Sequence, residues 1–364
     1  MPDSRPVIGI DCRFAAGHTG LGTYTREMVK ALLRREDPWS YVLFVSSESE
    51  PWVSECALNE RVSFQVTPFA HYSFGEQWQL PILIRDAGCD LYYSPHFNVP
   101  ILCTTPFLCT VHDLILHRYP NQASFLKRLA YRFTFGRAVR NARAIVAVSE
   151  TTRQDLLHQY PGASEKTRVI SPGVSSVLRR VSEERMQSVQ SKYGLQKPFL
   201  LYVGNCKQHK NVPILLRAFE QADLGSIELV LVSSGRECDA MRLPEHVRRI
   251  SGVDEHDFPD LYSAALACVT ATLYEGFGLP MVEAMACGCP VLATNCGSIP
   301  EVCASHALLV EPTVAALAEG MRRIASDSEF RNAERLEAAC AFVKKYDWLS
   351  SAEQLAGIFA HQLR

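Results

Sequence analysis

The sequence lacks any run of about 20 apolar residues, the length that a membrane-spanning helix requires. It also lacks a strong net charge, because 37 Lys and Arg stand against 39 Asp and Glu and leave a formal charge of −2. This near-neutral balance gives no overall positive field that would attract nucleic-acid phosphates, so we do not expect nucleic acid as the main partner. The start of the chain is too interrupted for the apolar part of a secretory leader, so we expect a cytoplasmic protein.

Cysteine pairs of the C-x-x-C type are missing, although the chain has 13 cysteines. The odd count, and the position of cysteines such as Cys109 and Cys268 in apolar runs, favour reduced and mostly buried thiols over disulfides. Cys287 and Cys289 are separated by one residue, but no His or Cys nearby completes a zinc site. We therefore expect no metal there.

The 364 residues exceed what one hydrophobic core usually supports, which predicts two domains. Short Val- and Ile-rich runs alternate with helical patterns, which is typical of parallel α/β sheets with helices on both faces. A break at Ser171-Pro172-Gly173 precedes a charged stretch, 179–192, that we interpret as an interdomain connection. We place the domains at 1–173 and 174–347. The predicted strands are Val7–Ile10, Tyr41–Val45, Leu91–Ser94, Phe107–Val111, Ala144–Val148 and Arg168–Ile170, then Phe199–Val203, Glu228–Val232, Val247–Ile250, Ala267–Thr272, Val291–Thr294 and Ala307–Val310.

One segment, residues 274–288, combines two glutamates with a glycine loop and a short helix. It reads Y-E-G-F-G-L-P-M-V-E-A-M-A-C-G and follows a predicted strand. Pro280 suits the first turn of a helix and Gly288 suits the position after its end, which predicts a helix over 279–287. Gly276 and Gly278 then precede the positive end of that helix, where anions bind. Taken singly, the glutamates could merely complement the helix dipole.

Together, these residues closely resemble the signature of glycosyltransferase family 4, retaining enzymes with the GT-B fold. The resemblance implies two doubly wound Rossmann-like domains facing across a cleft, with a last helix at about 348–364 returning to the first domain. It also implies that Glu283 holds the ribose hydroxyls of a nucleotide-sugar donor and that Glu275 contacts the transferred sugar. The residues expected to line the donor diphosphate are Gly276, Phe277, Gly278 and Leu279.

Two other loops resemble donor-binding loops of the family. After the first strand of the second domain, Lys210 matches the family lysine that binds the diphosphate, while Lys207 is the nearest substitute for a family arginine; the alternative is a solvated charge cluster. In the first domain, Gly20 and Gly22 are expected to form a loop facing the donor phosphate. A nicotinamide dinucleotide is disfavoured there, because Thr25 occupies the third glycine position.

A third run, beginning His112-Asp113 and ending at Pro120, resembles the mannosyltransferase-like branch of the family. This implies that His112 donates a hydrogen bond to the sugar near its 6-hydroxyl and that Asp113 orients His112 or the acceptor; a core histidine bonded to backbone is the alternative. His96 lies at another strand end and is expected on the acceptor side. Val253 matches a family turn whose backbone contacts the nucleobase.

The resemblance implies transfer of a hexose, with retained configuration, from GDP-mannose to a glycan or lipid-linked acceptor in polysaccharide biosynthesis. A UDP-sugar such as UDP-glucose is the alternative donor; a nucleotide-sugar epimerase and a non-catalytic nucleotide-sugar-binding protein are the other readings of the fold. No D-x-D motif stands in a plausible site, so we expect a metal-independent reaction, with His112, Glu275 and Lys210 in catalytic roles.

Residues 124–149 carry six basic residues and no acidic one. Within them, an apolar stripe at helical spacing comprises Leu126, Leu129, Ala130 and Phe133. One interpretation is a helix that faces the core through this stripe and has a solvated basic edge. The other is peripheral attachment, in which Lys127, Arg128 and Arg132 face anionic lipid at the inner side of the membrane.

Overall fold

The computed structural model describes residues 5–17, 19–122, 124–233 and 235–364. The chain divides into two units at Gly173. Unit 1 comprises residues 1–173 and 347–364, and unit 2 comprises residues 174–346. Among the described helices, none is long and apolar enough to cross a membrane.

Unit 1 is a seven-stranded parallel sheet covered by helices. Its strand order is β3-β2-β1-β4-β5-β6-β7. The strands are β1 (Val7–Asp11), β2 (Ser40–Val45), β3 (Val62–Val66), β4 (Leu91–Ser94), β5 (Phe107–Val111), β6 (Ala144–Ala147) and β7 (Thr167–Val169). The helices between them are α1 (Gly20–Leu33), α2 (Pro51–Cys56), α3 (Phe74–Asp86), α4 (Ile115–Arg118), α5 (Phe125–Asn141) and α6 (Glu150–Gln159). Because parallel strands are buried on both faces, β4, β5 and β6 are continuous apolar runs.

Unit 2 is a six-stranded parallel sheet of order β10-β9-β8-β11-β12-β13. The strands are β8 (Phe199–Val203), β9 (Glu228–Val232), β10 (Val247–Ile250), β11 (Ala267–Val269), β12 (Val291–Thr294) and β13 (Leu308–Val310). The helices are α7 (Glu183–Tyr193), α8 (Val212–Ala222), α9 (Arg236–Asp239), α10 (Phe258–Ala264), α11 (Leu279–Ala286), α12 (Ile299–Cys303), α13 (Val314–Ser326) and α14 (Ala333–Val343).

The last helix, α15 (Trp348–Gln362), packs within unit 1. The ring of Trp348 lies 5.6 Å from that of Tyr24, and Phe359 lies 5.6 Å from Tyr93. At Gly173, a Cβ would lie only 2.3 Å from the backbone nitrogen of Trp348. Only glycine therefore lets the chain leave unit 1 so close to the start of α15.

Two elements differ from the sequence prediction. The edge strand β3 was not predicted, because its half-exposed residues give no continuous apolar run. The stretch interpreted as an interdomain connection contains α7, whose Val189 is buried and whose Arg185 forms an ion pair with Asp260 on α10, 2.8 Å. Val189 and this ion pair attach the helix to unit 2, although its composition looks like that of a linker.

The expectation that all thiols are reduced is wrong at one place. Cys206 and Cys238 form a disulfide with Cα atoms 5.3 Å apart. The two residues follow β8 and β9, which are adjacent strands, so their loops meet at one sheet edge. Sequence spacing does not reveal this pair, because 32 residues separate the cysteines and no compact motif marks them. The other 11 cysteines are free.

The interpretation of α5 as a helix that buries its Leu126 stripe is also wrong. Leu126 is 75% exposed, Leu129 is 59% exposed and Phe133 is 55% exposed. The helix instead contacts the core through its second half, where Phe135, Ala138 and Val139 are buried. The predicted stripe and the basic residues beside it therefore both face away from the core.

Candidate functional site

The sheet of unit 2 has a switch point between β8 and β11. From β8 the chain continues outward to β9 and β10, and from β11 it continues in the opposite direction to β12 and β13. Open α/β sheets bind ligands beyond the carboxyl ends of their strands at such a point. Lys210 follows β8 and Glu275 follows β11, and the Nζ of Lys210 lies 2.6 Å from Oε1 of Glu275. Their side chains are 15% and 12% exposed, so this ion pair is largely shielded from water.

The loop carrying Glu275 is held by the turn before α12. The backbone N–H of Ser298 donates to the carbonyl of Glu275, 3.2 Å, and its hydroxyl donates to the carbonyl of Phe277, 2.9 Å. Gly297 has a φ of 59°, and a Cβ there would lie 2.7 Å from the backbone nitrogen of Glu275. A larger residue at Gly297 would displace the loop, so the position of Glu275 depends on this glycine.

The same loop leads into α11. Gly278 is the N-cap residue of this helix and has a φ of 95°, a conformation that favours glycine. The helix begins at Leu279 with Pro280 in its first turn, as the sequence predicts, and ends at Ala286. Gly276 and Phe277 are buried ahead of it. The positive end of the helix dipole thus points toward the loop that contains Glu275.

Glu283 lies on α11 and is half-buried. Its Oε2 accepts a hydrogen bond from the hydroxyl of Tyr262, 2.9 Å. Burial raises the pKa of Glu283, the Tyr262 hydrogen bond opposes that rise, and the charge of Glu255 adds to it. The carboxylate is therefore oriented by one buried phenol and is more readily protonated than an ordinary glutamate.

The basic loop after β8 has one exposed and one shielded lysine. Lys207 is exposed and begins a short 3-10 turn, residues 208–210. His209, inside that turn, is buried, and its carbonyl accepts a hydrogen bond from the N–H of Leu273, 2.7 Å. Burial, with a smaller contribution from the charge of Lys210, lowers the pKa of His209 to about 4. The turn is thereby attached to the segment leading to Glu275.

Val253 stands on another strand-end loop of the same sheet, the one after β10. It is half-buried, and Gly252 before it has a φ of 68°. The turn that the sequence identifies is therefore present, with its backbone conformation set by glycine.

In unit 1, His112 follows β5 and His96 follows β4. The Nε2–H of His112 donates to the carbonyl of Pro95, 2.7 Å, which is the bonding that the core-histidine alternative predicted. The ring of Tyr24 lies edge-on to the His112 ring, with ring centres 4.6 Å apart. The ring of His96 is nearly parallel to the His112 ring, with ring centres 6.5 Å apart. Burial lowers the pKa of His112 to about 4, although the Pro95 hydrogen bond opposes this, so the ring is neutral at pH 7.

Asp113 has a local structural contact. Its Oδ1 accepts a hydrogen bond from the backbone N–H of Ile115, 3.0 Å, at the start of α4. Each side chain of the H-D pair is therefore held by a hydrogen bond to nearby backbone, His112 to Pro95 and Asp113 to Ile115.

Gly20 and Gly22 do not form a loop, which corrects the sequence prediction. Both lie in the first turn of α1, where the side chain of Thr19 accepts a hydrogen bond from the N–H of Gly22, 3.2 Å. A Cβ on Gly22 would lie 2.0 Å from the carbonyl oxygen of Gly17. Gly22 is therefore required for close packing of the turn before the helix. The capping threonine made a helix start at Gly20 readable from the sequence.

A buried charged network that the sequence did not indicate lies at the switch point of unit 1, between β1 and β4. The guanidinium of Arg13 makes hydrogen bonds to Asp11, 2.7 and 2.8 Å, and to Glu76, 2.8 Å. Glu76 also accepts from the amide of Asn98, 2.8 Å. Burial alone would raise the pKa of Asp11, but Arg13 outweighs it and holds that pKa below its usual value. The network joins the loops after β1 and β4 to the start of α3.

Comparisons with known families cover both units. The profile of glycosyl transferases group 1 matches residues 184–338, and that of Glycosyltransferase Family 4 matches residues 18–176. The two profiles together match most of the chain, which identifies it as a glycosyltransferase with both of these domains.

Relatives of this glycosyltransferase include two proteins named for O-antigen chains. The chain is 26% identical over 284 residues to O-antigen chain mannosyltransferase B of Escherichia coli, and the match covers 74% of each protein. It is 27% identical over 312 residues to O-antigen chain mannosyltransferase RfbU of Salmonella typhimurium, covering 82% of this chain and 81% of that protein. Among solved structures, Anabaena Alr3699/HepE in complex with UDP and glucose has a TM-score of 0.79 at 19% identity, covering 98% and 100% of the two chains. That likeness confirms the GT-B class of fold.

The sequence did not indicate two further residues of the candidate site. Tyr262, which orients Glu283, lies on α10 within a segment whose pattern indicates only a helix. His209 stands directly before Lys210, and its position after a strand was the signal that could have identified it. Both are buried polar side chains, a property that residue type alone does not show.

Proposed function

We propose that this glycosyltransferase moves mannose from GDP-mannose to a hydroxyl of a glycan or lipid-linked acceptor in polysaccharide biosynthesis, with the anomeric configuration retained. The observation that carries the proposal is the shielded pair of Lys210 and Glu275 at the switch point of unit 2. Support for mannose comes from the relatives that are named as mannosyltransferases.

In this proposal the donor nucleotide binds along the strand ends of unit 2. Glu283, oriented by Tyr262, accepts hydrogen bonds from the ribose hydroxyls. The backbone at Val253 contacts the base. The diphosphate lies at the positive end of α11, against the residues Gly276, Phe277, Gly278 and Leu279, with Lys207 and Lys210 neutralising its charge. In unit 1, Gly22 contributes close backbone packing at the start of α1.

The reaction breaks the bond between the sugar C1 and the phosphate oxygen, and C1 forms a new bond to the acceptor oxygen. The acceptor proton leaves with the diphosphate or with solvent. Negative charge grows on the phosphate oxygens as the bond breaks, and a lysine that is already held in place stabilises it without reorganisation. Glu275 holds Lys210 in place. In this proposal it also contacts the transferred sugar.

We assign His112, with Asp113 and His96, to the sugar and acceptor side. Since Nε2–H donates to the Pro95 carbonyl and the ring is neutral, Nδ1 of His112 is a hydrogen-bond acceptor. In this tautomer Nδ1 accepts a hydrogen bond from a sugar hydroxyl, which differs from the donor role that the family resemblance implies. The role is binding and orientation of the transferred sugar.

We propose that the reaction requires no divalent metal, because the lysines and the end of α11 provide the positive charge at the phosphates. Excess EDTA should therefore leave the rate unchanged. Loss of activity with EDTA, restored by Mg²⁺ or Mn²⁺, would contradict this part of the proposal.

The second candidate donor is a UDP-sugar, and the structural likeness to a protein solved with UDP and glucose favours testing it. Thermal shift of the intact chain with GDP and with UDP separates the two. A ligand at 100 times its Kd stabilises the fold by about 2.7 kcal/mol. We expect stabilisation by GDP and little by UDP; the reverse would assign a UDP-sugar, and no shift with either would remove the nucleotide-sugar site.

We also propose that the acceptor is reached at a membrane surface. Lys127, Arg128 and Arg132 on α5 are exposed or half-exposed and face anionic lipid headgroups in this proposal. Each contributes about 1 kcal/mol of attraction near such a surface. If these charges alone held the protein at the membrane, added salt would screen the attraction and release the protein.

A further inference from the structure

Large apolar side chains are exposed mostly in one region of unit 1. Of the 13 large hydrophobic side chains that are exposed in the described part of the chain, nine lie between Tyr72 and Phe133. They are Tyr72, Phe74, Trp78, Ile82, Leu102, Phe125, Leu126, Leu129 and Phe133. Soluble proteins rarely leave a large apolar area uncovered, so such a concentration marks a binding surface.

Helix α3 presents one part of this surface. Phe74, Trp78 and Ile82 recur every four residues and therefore form one stripe along the helix. They are 96%, 68% and 37% exposed. The acidic side chain near this stripe, Glu76, points the other way and is buried against Arg13. The exposed stripe of α3 is thus apolar and uncharged through its first two turns.

Helix α5 presents the other part. One loop contacts both helices. Residues 95–106 connect β4 to β5; in this loop the N–H of Ile101 donates to the side chain of Gln77 on α3, 2.7 Å. Phe97 of the same loop lies 5.2 Å from Tyr131 of α5. Leu80 and Ile84 of α3 share one hydrophobic core with Phe135 and Val139 of α5. The helices therefore lie on the same face of the sheet, and Leu102 on the connecting loop is 50% exposed.

The charges beside this surface identify its partner. Lys127, Arg128 and Arg132 alternate with the exposed apolar residues of α5, and no acidic residue occurs between 124 and 149. Aromatic and aliphatic side chains bordered by cations fit the boundary between anionic headgroups and acyl chains. A protein partner of the same shape would need an acidic rim around an apolar patch, whereas a lipid bilayer provides both everywhere.

We propose that α3, the 95–106 loop and α5 form one membrane-docking surface, in which Phe74 and Trp78 insert below the headgroups of an anionic bilayer. This inference rests on the proposed membrane attachment and extends it from a salt-reversible contact by α5 to apolar insertion that includes α3. The surface belongs to unit 1 alone, so it does not depend on the donor site.

The chain contains its own reporter for this insertion. Three of its four tryptophans are buried, Trp39, Trp52 and Trp348, and only Trp78 is exposed. The full chain is mixed with vesicles of phosphatidylcholine and phosphatidylglycerol whose acyl chains are brominated or not. We expect Trp emission to shift to shorter wavelengths and to be quenched by the brominated chains. Trp78→Phe should remove the quenching while the chain still sediments with the vesicles.

Affinity for the same vesicles tests the energetic contribution of α3. The double variant Phe74→Ser/Trp78→Ser should bind at least about tenfold more weakly, even at high salt. Leu58→Ser is the matched control, since Leu58 is 88% exposed but lies outside the surface, and its binding should equal that of the wild type. Replacing Lys127, Arg128 and Arg132 by Glu should remove the salt-sensitive part of the binding.

Binding without quenching of Trp78, or equal binding of the double variant, would overturn insertion by α3. A concentration-dependent dimer that Phe74→Ser abolishes would also overturn it, because a second copy of the chain would then be the partner. Thermal stabilisation by GDP is measured on every variant and should be unchanged. If GDP fails to bind while vesicles quench Trp78, the proposed donor is wrong and the docking surface stands.

Discussion

The ammonium of Lys210 and the carboxylate of Glu275 lie 2.6 Å apart, although 65 residues separate them in the chain. They meet because they follow β8 and β11, two adjacent parallel strands whose carboxyl ends lie side by side. Both side chains are shielded, and the ion pair holds each of them in place. A lysine positioned in this way can meet developing phosphate charge without first being ordered.

Replacing Lys210 by Ala should lower kcat by about 10²–10³-fold, the effect typical of removing one group that stabilises developing charge. Lys197→Ala is the control, because Lys197 is half-exposed and pairs with Glu228 away from the site. Steady-state kinetics with varied donor measure the effect. A rise in KM with unchanged kcat would show that Lys210 binds the ground state only.

Replacing Glu283 by Gln should weaken donor binding by about 1.5–3 kcal/mol, because a charged hydrogen-bond acceptor for the ribose is lost. Calorimetric titration with the nucleotide measures this loss. Glu319→Gln serves as control, since Glu319 is an exposed partner of Arg322 on α13. Unchanged affinity of the Glu283 variant would remove Glu283 from the site.

The pH dependence of donor binding provides a separate test of Glu283. Its pKa is raised, so the carboxylate protonates, and donor affinity falls, at a higher pH than for an ordinary glutamate. Tyr262→Phe removes the hydrogen bond that opposes this rise and should move the loss of affinity to still higher pH. A pH profile that Tyr262→Phe leaves in place would contradict the coupling between the two residues.

Replacing His112 by Ala should lower transfer by roughly fivefold in kcat/KM, equivalent to about 1 kcal/mol for one hydrogen bond, without changing nucleotide affinity. His158→Ala, on the exposed side of α6, is the control.

Because the pKa of His112 falls from 6.5 in the unfolded chain to about 4 in the folded chain, the unfolded chain binds more protons between these pH values. The free energy of unfolding should therefore decrease as pH is lowered from about 6.5 to about 4, and less so in His112→Gln.

The Cys206–Cys238 disulfide should be visible as 11 free thiols, 13 less two, in the denatured and unreduced chain. Closing a loop over 32 residues contributes about 3–4 kcal/mol to stability in the chain-entropy account. Cys206→Ser should lower the free energy of unfolding by a comparable amount, while Cys340→Ala, at a half-buried free thiol, should change it little. Thirteen reactive thiols would show that the bond does not form.

Strong local patterns made most of the fold readable from the sequence. Buried parallel strands such as Leu91–Ser94 and Phe199–Val203 are continuous apolar runs, and their predicted bounds match the structure. The edge strand β3 and the helix α7 lacked such runs and were missed. At the site, Pro280 and Gly278 indicated the start of α11, because proline suits the first turn of a helix and glycine readily adopts the left-handed conformation found at this N-cap.

Long-range contacts were the part that the sequence could not supply. The Arg13–Glu76 ion pair joins residues 63 positions apart, and Tyr262 reaches Glu283 from another helix. The exposure of the Leu126 stripe was equally unreadable, since apolar residues at helical spacing usually face a core. Periodicity identifies a face of a helix, but tertiary packing decides whether that face is covered.

Transfer of mannose from GDP-mannose to an acceptor is tested by measuring whether the release of GDP depends on the acceptor. The intact chain is incubated with GDP-mannose alone, and with GDP-mannose plus a glycolipid extract. GDP and glycan-bound mannose are quantified in both samples. We expect GDP and bound mannose in equal amounts, only when acceptor is present, and loss of both in Lys210→Ala. GDP release that is the same without acceptor, or transfer from a UDP-sugar but not from GDP-mannose, would contradict it.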